Sequence, residues 1–414
     1  MSGLLIVGSS QAGVQLAASL RTLGHDGPIT LLGDEPHRPY QRPPLSKDFL
    51  AGKVSKESVL FRTDEYWREH RIDLLIGQRV VRLDHRPDGS GAAHLRSGGE
   101  LAYDRLALCT GARARRLPTP GADRPGVLYL RTADDALELT ARLPRVRDVV
   151  VIGGGFIGVE AAAALAKLGR RVTLVEAGTR LMERALGAPT SALALAHHLE
   201  AGIDIRLGAC VTAIVGDGDG GVRGVIVDGE RVPADVVLIG VGVVPNTELA
   251  ASIGLRCDDG IVVDERALAS DRHTLAVGDV ARMPDPSPGA DPGRLIRLES
   301  VHNAVEQAKV AAQVVAGRAQ EYRSVPWFWS DQGGLKIQIA GLSAGHDQVV
   351  VRHDTARRKF SALYYRAGRL LAAEAVNTPL DFMAAKAALA SGAHIPPAVA
   401  ADATVPLKQL VVAA

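Results

Sequence analysis

The 414-residue sequence predicts an α/β protein in which one strand–glycine turn–helix–strand unit occurs twice, followed by a smaller C-terminal α+β domain. Three observations carry this. Residues 4–34 run from an apolar strand through Gly8-Ser9-Ser10-Gln11-Ala12-Gly13 into a helix, then through a second strand to Asp34. Residues 149–176 repeat the pattern with Gly153-Gly154-Gly155-Phe156-Ile157-Gly158 and close on Glu176. Beyond residue 325 the rhythm changes to short alternating strands and one terminal helix, which suits an antiparallel sheet covered on one face.

The chemistry of the repeated unit follows from its backbone. Glycine at the turn lets the main chain approach a pyrophosphate, and the helix start offers free N–H groups to hold it. An acid about 20 residues further on accepts ribose hydroxyls. The first copy departs from Gly-x-Gly-x-x-Gly at Ser10, so by itself it reads equally as an ordinary βαβ turn. The second copy is complete in its structural context and reads as a Rossmann-like dinucleotide site on Gly153, Gly155, Ile157 and Gly158. Glu176 there favours a free 2′-hydroxyl, hence NADH over NADPH, although Arg180 lies close enough to leave a 2′-phosphate open.

Between the two copies, residues 36–47 are stiffened by four prolines and carry the cations Arg42 and Lys47. They suit contacts to a phosphate or an electron-rich ring, or else solvated surface charges. Residues 79–105 read as a small β-meander that includes Val80. The strand ending in Thr110-Gly111 brings backbone to the carboxyl end of a sheet, where open α/β sheets bind ligands. Cys109 inside that strand reads as an inert core thiol, and residues 112–126 read as a linker. After the second copy come a helix at 191–201, a strand at 203–207, a hairpin near 216–221, and a strand entering a turn at Gly240-Val241-Gly242. The strand 274–278 delivers Gly278-Asp279, whose carboxylate can hold a ribityl hydroxyl. A helix over 299–315, capped by Ser300, points its positive end at Val301 and His302, and His302 is not assigned a catalytic role. Trp327, Phe328 and Trp329 then concentrate aromatics in a chain with 4% of them, and Glu160 reads as a first-turn helix acid.

Composition excludes several classes. Lysine and arginine total 48 against 46 acidic residues, a formal charge of +2, which argues against a bulk nucleic-acid binder. No apolar run reaches the roughly 18 residues a membrane span needs. The start of the chain lacks a signal-peptide pattern. Cys109, Cys210 and Cys257 form no Cys-x-x-Cys and no metal-ligand set, so no metal or iron–sulfur centre of its own is expected. A reducing, cytoplasmic home fits.

The stretches Arg38-Pro39-Tyr40-Gln41-Arg42-Pro43-Pro44-Leu45-Ser46-Lys47, Thr110-Gly111-Ala112-Arg113, Tyr129-Leu130-Arg131-Thr132, 153–160, 242–246, Val277-Gly278-Asp279 and Pro326-Trp327-Phe328-Trp329-Ser330-Asp331 span the chain in order. In them the sequence resembles the pyridine nucleotide–disulfide reductase superfamily, and most of all the NADH:ferredoxin reductases of bacterial P450 and aromatic-ring dioxygenase systems. The resemblance implies a glutathione-reductase-like arrangement: an FAD-binding domain in two parts, 1–111 and 243–321, an NADH-binding domain at 112–242 and a C-terminal α+β domain at 322–414. It implies FAD contacts at Gly8, Ala12, Gly13, Asp34, Arg42, Lys47, Val80, Thr110, Gly111, Arg131, Asp279, Val301 and Trp327. It implies NADH contacts at Gly153, Gly155, Ile157, Gly158, Glu176 and Gly242, and a Lys47–Glu160 pair beside the flavin. With no adjacent dithiol, electrons would leave to an outside acceptor, an acidic [2Fe–2S] ferredoxin that docks near Arg297, Lys309, Trp329 and Lys408. A cytoplasmic monomer without nucleic-acid or membrane partners is expected. The alternatives are an NADH oxidase or peroxidase, which needs a reactive cysteine soon after the first glycine helix, a monodehydroascorbate reductase, and an NADH-sensing flavoprotein. No cysteine precedes Cys109.

Overall fold

The computed structural model describes residues 3–217, 220–287, 289–318 and 320–413. The chain folds as two compact units. The first comprises residues 1–41, 56–113 and 244–326, and the second 42–55, 114–243 and 327–414.

In the first unit, strand Gly3–Val7 lies between Ile29–Leu32 and Glu100–Leu108, all parallel. Ile72–Leu75 extends the sheet beyond Ile29–Leu32, and Leu275–Ala276 joins the end of Glu100–Leu108. Central parallel strands are covered on both faces, which is why Leu4, Leu5, Ile6 and Val7 are all apolar and all buried. The meander Val80–His85 and Gly91–Leu95 pairs with the first half of Glu100–Leu108. Helices Gln11–Thr22 and Val301–Val315 share one core, with Leu16, Ala17 and Leu20 meeting Ala304, Ala308 and Ala311. Small residues there let the two helix backbones come close.

The second unit holds a five-stranded parallel sheet in the order Asp204–Leu207, Arg171–Glu176, Asp148–Ile152, Val236–Ile239, Val127–Tyr129. Helices Phe156–Lys167 and Ala188–Glu200 flank it. The meander Val211–Gly216, Val222–Val227, Glu230–Pro233 contains the expected hairpin, whose residues 218 and 219 lie outside the described ones. The C-terminal sheet is antiparallel, in the order Trp327–Gln332, Leu335–Gly341, Arg369–Val376, Lys359–Arg366, Gln348–Asp354, with helix Pro379–Ser391 against it. Among the described residues no helix is long and apolar enough to cross a membrane.

Several features are absent from the sequence reading, such as the short helices Asp64–Glu69 and Glu248–Ser252, and three more are these. Strand Trp327–Gln332 sits where only an aromatic cluster is anticipated. Helix Ala133–Arg142 follows the linker and starts with a capping box, Thr132 Oγ1 accepting from the Asp135 N–H and Asp135 returning to the Thr132 N–H. Residues 42–55, with the 3-10 turn Pro43–Ser46, belong to the second unit and not to the strands they follow in sequence.

Two glycine turns and a buried lysine–glutamate centre

In the first unit, Gly8 takes φ +117°, and a Cβ there would lie 2.1 Å from the Cys109 carbonyl oxygen. A Cβ on Gly13 would lie 2.0 Å from the Gly8 carbonyl oxygen. Both glycines are therefore demanded by close backbone packing. Ser10 precedes the helix at φ −99°, extended backbone open to any residue, so the missing glycine leaves the turn intact. Gly278 takes φ +85°, its N–H donates to Gln307 Oε1 at 2.7 Å, and a Cβ there would come within 3.0 Å of the Ala12 Cβ. The Gly278-Asp279 strand end is thus held against the helix start that carries Ala12. Thr110 Oγ1 donates to the Asn246 carbonyl and Asn246 Nδ2 returns to the Thr110 carbonyl, both at 2.8 Å, with Gly111 next in line at φ +61°. Asp34 is exposed just past Gly33, and Val80 is buried at the start of the meander. Ser300 Oγ accepts from the Asn303 N–H at 3.1 Å and so caps the helix that opens with Val301.

In the second unit, Gly153 takes φ +110°, and a Cβ on Gly158 would lie 2.0 Å from the Gly153 carbonyl oxygen. Gly155 sits at φ −74°, and a Cβ there would meet nothing within 4 Å. The protein leaves that space open, beside helix-start amides that lack intrahelical partners. This fits a bound pyrophosphate. Glu176 Oε2 accepts from the Gly154 N–H at 2.5 Å, and Oε1 from the Gly178 N–H at 2.6 Å. The acid expected at the ribose also ties down the turn. Arg180 donates to the Leu186 carbonyl at 3.2 Å and lies 3.6 Å from Glu183. Ile157 is exposed on the first helical turn, and Gly242 takes φ +95°. Arg42 Nη1 donates to the Arg131 carbonyl at 2.6 Å.

The same unit brings Lys47 and Glu160 together. Lys47 Nζ lies 3.0 Å from Glu160 Oε1. Ser46 Oγ donates to Oε2 at 2.6 Å, and Ser330 Oγ donates to Oε1 at 2.5 Å. The helix starts at Phe156, so Glu160 stands just beyond its first turn, and it is 4% exposed. Burial pushes its carboxyl upward, while the Lys47 charge and the two hydroxyls oppose that shift. Ser46, Ser330 and Gln332 are site residues that the sequence reading misses. The period of two along strand Trp327–Gln332 puts Phe328, Ser330 and Gln332 on one face. Phe328 meets Phe156 there, ring centroids 4.6 Å apart. Trp327 and Trp329 lie on the other face, 5.4 Å apart, with Lys386 Nζ 4.6 Å from the Trp327 ring.

The expected docking residues behave differently from one another. The Arg297 side chain is 10% exposed and is held by Glu299 at 2.6 Å and Asp259 at 3.4 Å. Lys309 is exposed and pairs with Glu306 at 2.7 Å. Lys408 is exposed in the turn Leu407–Leu410, and Trp329 is half-buried. Cys109 is buried, which pushes its thiol up to about 12. Among the described residues no cluster of three or more His, Cys, Asp or Glu could hold a metal ion.

The family model described as pyridine nucleotide-disulphide oxidoreductase matches residues 2–308. The chain belongs to this family. A second model, reductase C-terminal, matches residues 327–411, the antiparallel sheet and its helices. Within the family, the chain is 47% identical over 406 residues to rhodocoxin reductase of Rhodococcus erythropolis, covering 98% of this chain and 93% of the relative. The crystal structure of the ferredoxin reductase for the CYP199A2 system of Rhodopseudomonas palustris superposes with a TM-score of 0.94 at 42% identity, covering both chains fully. The covalent putidaredoxin reductase–putidaredoxin complex gives 0.92 at 39% identity, covering 99% of this chain and 98% of that one.

Proposed function

We propose that this oxidoreductase is a FAD-dependent NADH:ferredoxin reductase that feeds a cytochrome P450 or a ring-hydroxylating dioxygenase through an acidic [2Fe–2S] ferredoxin, as a cytoplasmic monomer. The observation that carries this reading is two nucleotide turns in a chain whose one early cysteine, Cys109, is buried with its thiol pushed up to about 12. A thiolate is the reactive form of cysteine, and here it is suppressed. An oxidase or peroxidase that works through such a cysteine does not fit, and electrons leave to an outside acceptor.

FAD is assigned to Gly8, Ala12, Gly13, Asp34, Val80, Thr110, Gly111, Asp279 and Val301, together with Arg42, Lys47, Arg131 and Trp327. NADH is assigned to Gly153, Gly155, Ile157, Gly158, Glu176 and Gly242. When bound, FAD accepts a hydride from NADH and passes electrons on singly, as a [2Fe–2S] acceptor requires. The protein supplies position and field. The two helix starts hold pyrophosphates on backbone N–H groups. Glu176 accepts ribose hydroxyls with its remaining lone pairs and repels a 2′-phosphate. The N-terminus of helix Val301–Val315 presents partial positive charge to the flavin. Lys47 is a fixed cation, held by Glu160 at 3.0 Å.

Docking is assigned to Arg297, Lys309, Trp329 and Lys408. The test is a steady-state assay with NADH and an acidic [2Fe–2S] ferredoxin across a salt series. Lys309→Glu with Lys408→Glu should raise the ferredoxin KM several-fold and flatten its salt dependence, while NADH-to-ferricyanide activity stays intact. A ferredoxin KM unmoved by charge reversal would remove these lysines from the docking face.

A further inference from the structure

The Lys47–Glu160 pair does not end at Ser330. Ser330 Oγ, which donates to Glu160, accepts from Gln332 Nε2 at 3.0 Å. Gln332 Oε1 lies 3.1 Å from His198 Nε2. Ser330, Gln332 and His198 are each no more than 1% exposed. These residues come from one strand, Trp327–Gln332, and one helix, Ala188–Glu200.

The direction of every hydrogen bond in this chain is fixed. Gln332 Nε2 also lies 3.1 Å from Met182 Sδ. A thioether sulfur accepts and cannot donate, so the NH2 end of the amide must face it. The carbonyl end then faces His198, and His198 Nε2 must carry the proton. His198 Nδ1 is left buried without a partner, so adding a second proton there would strand a charge. Burial accordingly pulls His198 below the ordinary histidine value. All protons therefore point one way: from His198 to Gln332, from Gln332 to Ser330, and from Ser330 to Glu160. Ser46 and Lys47 add their own donors to the same carboxylate.

We infer that Ser330, Gln332 and His198 are positioning residues, a one-way chain of donors that keeps the Glu160 carboxylate ionised and so fixes Lys47 beside it. A protonated Glu160 would turn one of its two oxygens into a donor, and the group that donates to that oxygen, Ser330 or Lys47 at Oε1 or Ser46 at Oε2, would lose its acceptor. In a buried site a lost acceptor is expensive. The charged groups on the surrounding elements leave this arrangement to Lys47. Asp331 alternates to the opposite face of its strand, His197 turns to the Gly333 carbonyl at 3.2 Å, Arg171 pairs with Asp148, and Glu176 is bonded to the glycine turn.

The test is an infrared titration of the full-length protein, following the protonated-carboxyl C=O band that Glu160→Gln removes. In the wild type this band should be absent at neutral pH and appear only in acid. Ser330→Ala should bring it in about one to two pH units higher, the size expected for losing one hydrogen bond to a charged group. Ser330→Thr, which keeps the hydroxyl, should titrate as the wild type does. Gln332→Met should shift the band in the same direction by less, because Ser330 remains but loses the donor that polarises it. An unmoved titration in Ser330→Ala, or a shift in Ser330→Thr as large as in Ser330→Ala, would overturn the inference. If Ser330→Ala does not fold, Gln332→Met decides, and an unmoved band there overturns it equally. The bearing of this chain on electron transfer rests on the proposed flavin role of Lys47. The band reports on Glu160 itself, so failure of either reading is visible separately.

Discussion

The two glycine turns have nearly the same backbone and opposite side-chain logic. Gly8 and Gly153 take φ of +117° and +110°, and Gly13 and Gly158 each leave only 2.0 Å between a would-be Cβ and a carbonyl oxygen. These four positions are fixed by the fold. The middle position is not: Gly155 has ordinary φ and open space, and Ser10 occupies the equivalent place in extended backbone. The strand ends differ as well. Gly8 donates its N–H to the Leu32 carbonyl and Gly153 to the Val175 carbonyl, so Gly33 and Glu176 stand at the same point. At that point the first turn fills the space from the loop, where a Cβ on Gly33 would lie 1.9 Å from Ser9 Oγ. The second turn fills it from the strand, with Glu176 over Gly154. The acid of the first turn is consequently one residue later, at the exposed Asp34. Two glycines of the fingerprint are demanded by the backbone of the protein, and the middle one is not.

This contrast can be broken most forcefully at the shared positions. Gly13→Ala and Gly158→Ala should each cost about 1–3 kcal/mol or more in urea unfolding, because backbone must move in both. A large loss in one turn and none in the other would end the equivalence. Next in size is Glu176. Glu176→Arg removes the acceptor for the Gly154 and Gly178 N–H groups as well as the proposed ribose contact, and should raise the NADH KM by roughly tenfold or more. It should also improve NADPH relative to NADH, and an unchanged cofactor preference would refute the ribose role.

A smaller effect separates the units through the buried chain found only in the second. His198 is held neutral, whereas an unfolded histidine titrates near 6.5. The unfolded state thus binds the extra proton first, and native stability should fall as pH drops below about 6.5, by up to about 1 kcal/mol per unit. His198→Gln should flatten that part of the melting-temperature profile, and an unaltered slope would place its cause elsewhere. Smallest of all is the middle position. Ser10→Gly should leave flavin content and hydride transfer nearly unchanged, and Gly155→Ser should alter stability by less than about 0.5 kcal/mol while weakening NADH.

The parts of this molecule that read directly from sequence are local. Strand, turn and helix follow one another within thirty residues at both glycine motifs, and burial on both faces writes itself as an apolar run. Ser300 as a helix cap is local too. What did not read from sequence is brought together across long separations. Ser46 and Glu160 are 114 residues apart, and Ser330 and Glu160 are 170 apart. Nothing near Glu160 in sequence announces that it is buried. Arg297 shows the same limit, since its charge is visible in the sequence and its pairing with Glu299 and Asp259 is not. Two omissions were recoverable. The Thr132–Asp135 capping spacing marks the start of helix Ala133–Arg142, and the alternation from Trp327 to Gln332 marks a strand with a polar buried face.

The central claim is that electrons pass from NADH through a bound flavin to a ferredoxin without a thiol relay. A stopped-flow experiment in two stages tests it. NADH should bleach the flavin absorbance within the dead time or shortly after, and the reduced protein should then reduce a [2Fe–2S] ferredoxin far faster than it reduces dioxygen. Slow bleaching with a persistent charge-transfer band, or oxidation by dioxygen that outruns the ferredoxin, would contradict it.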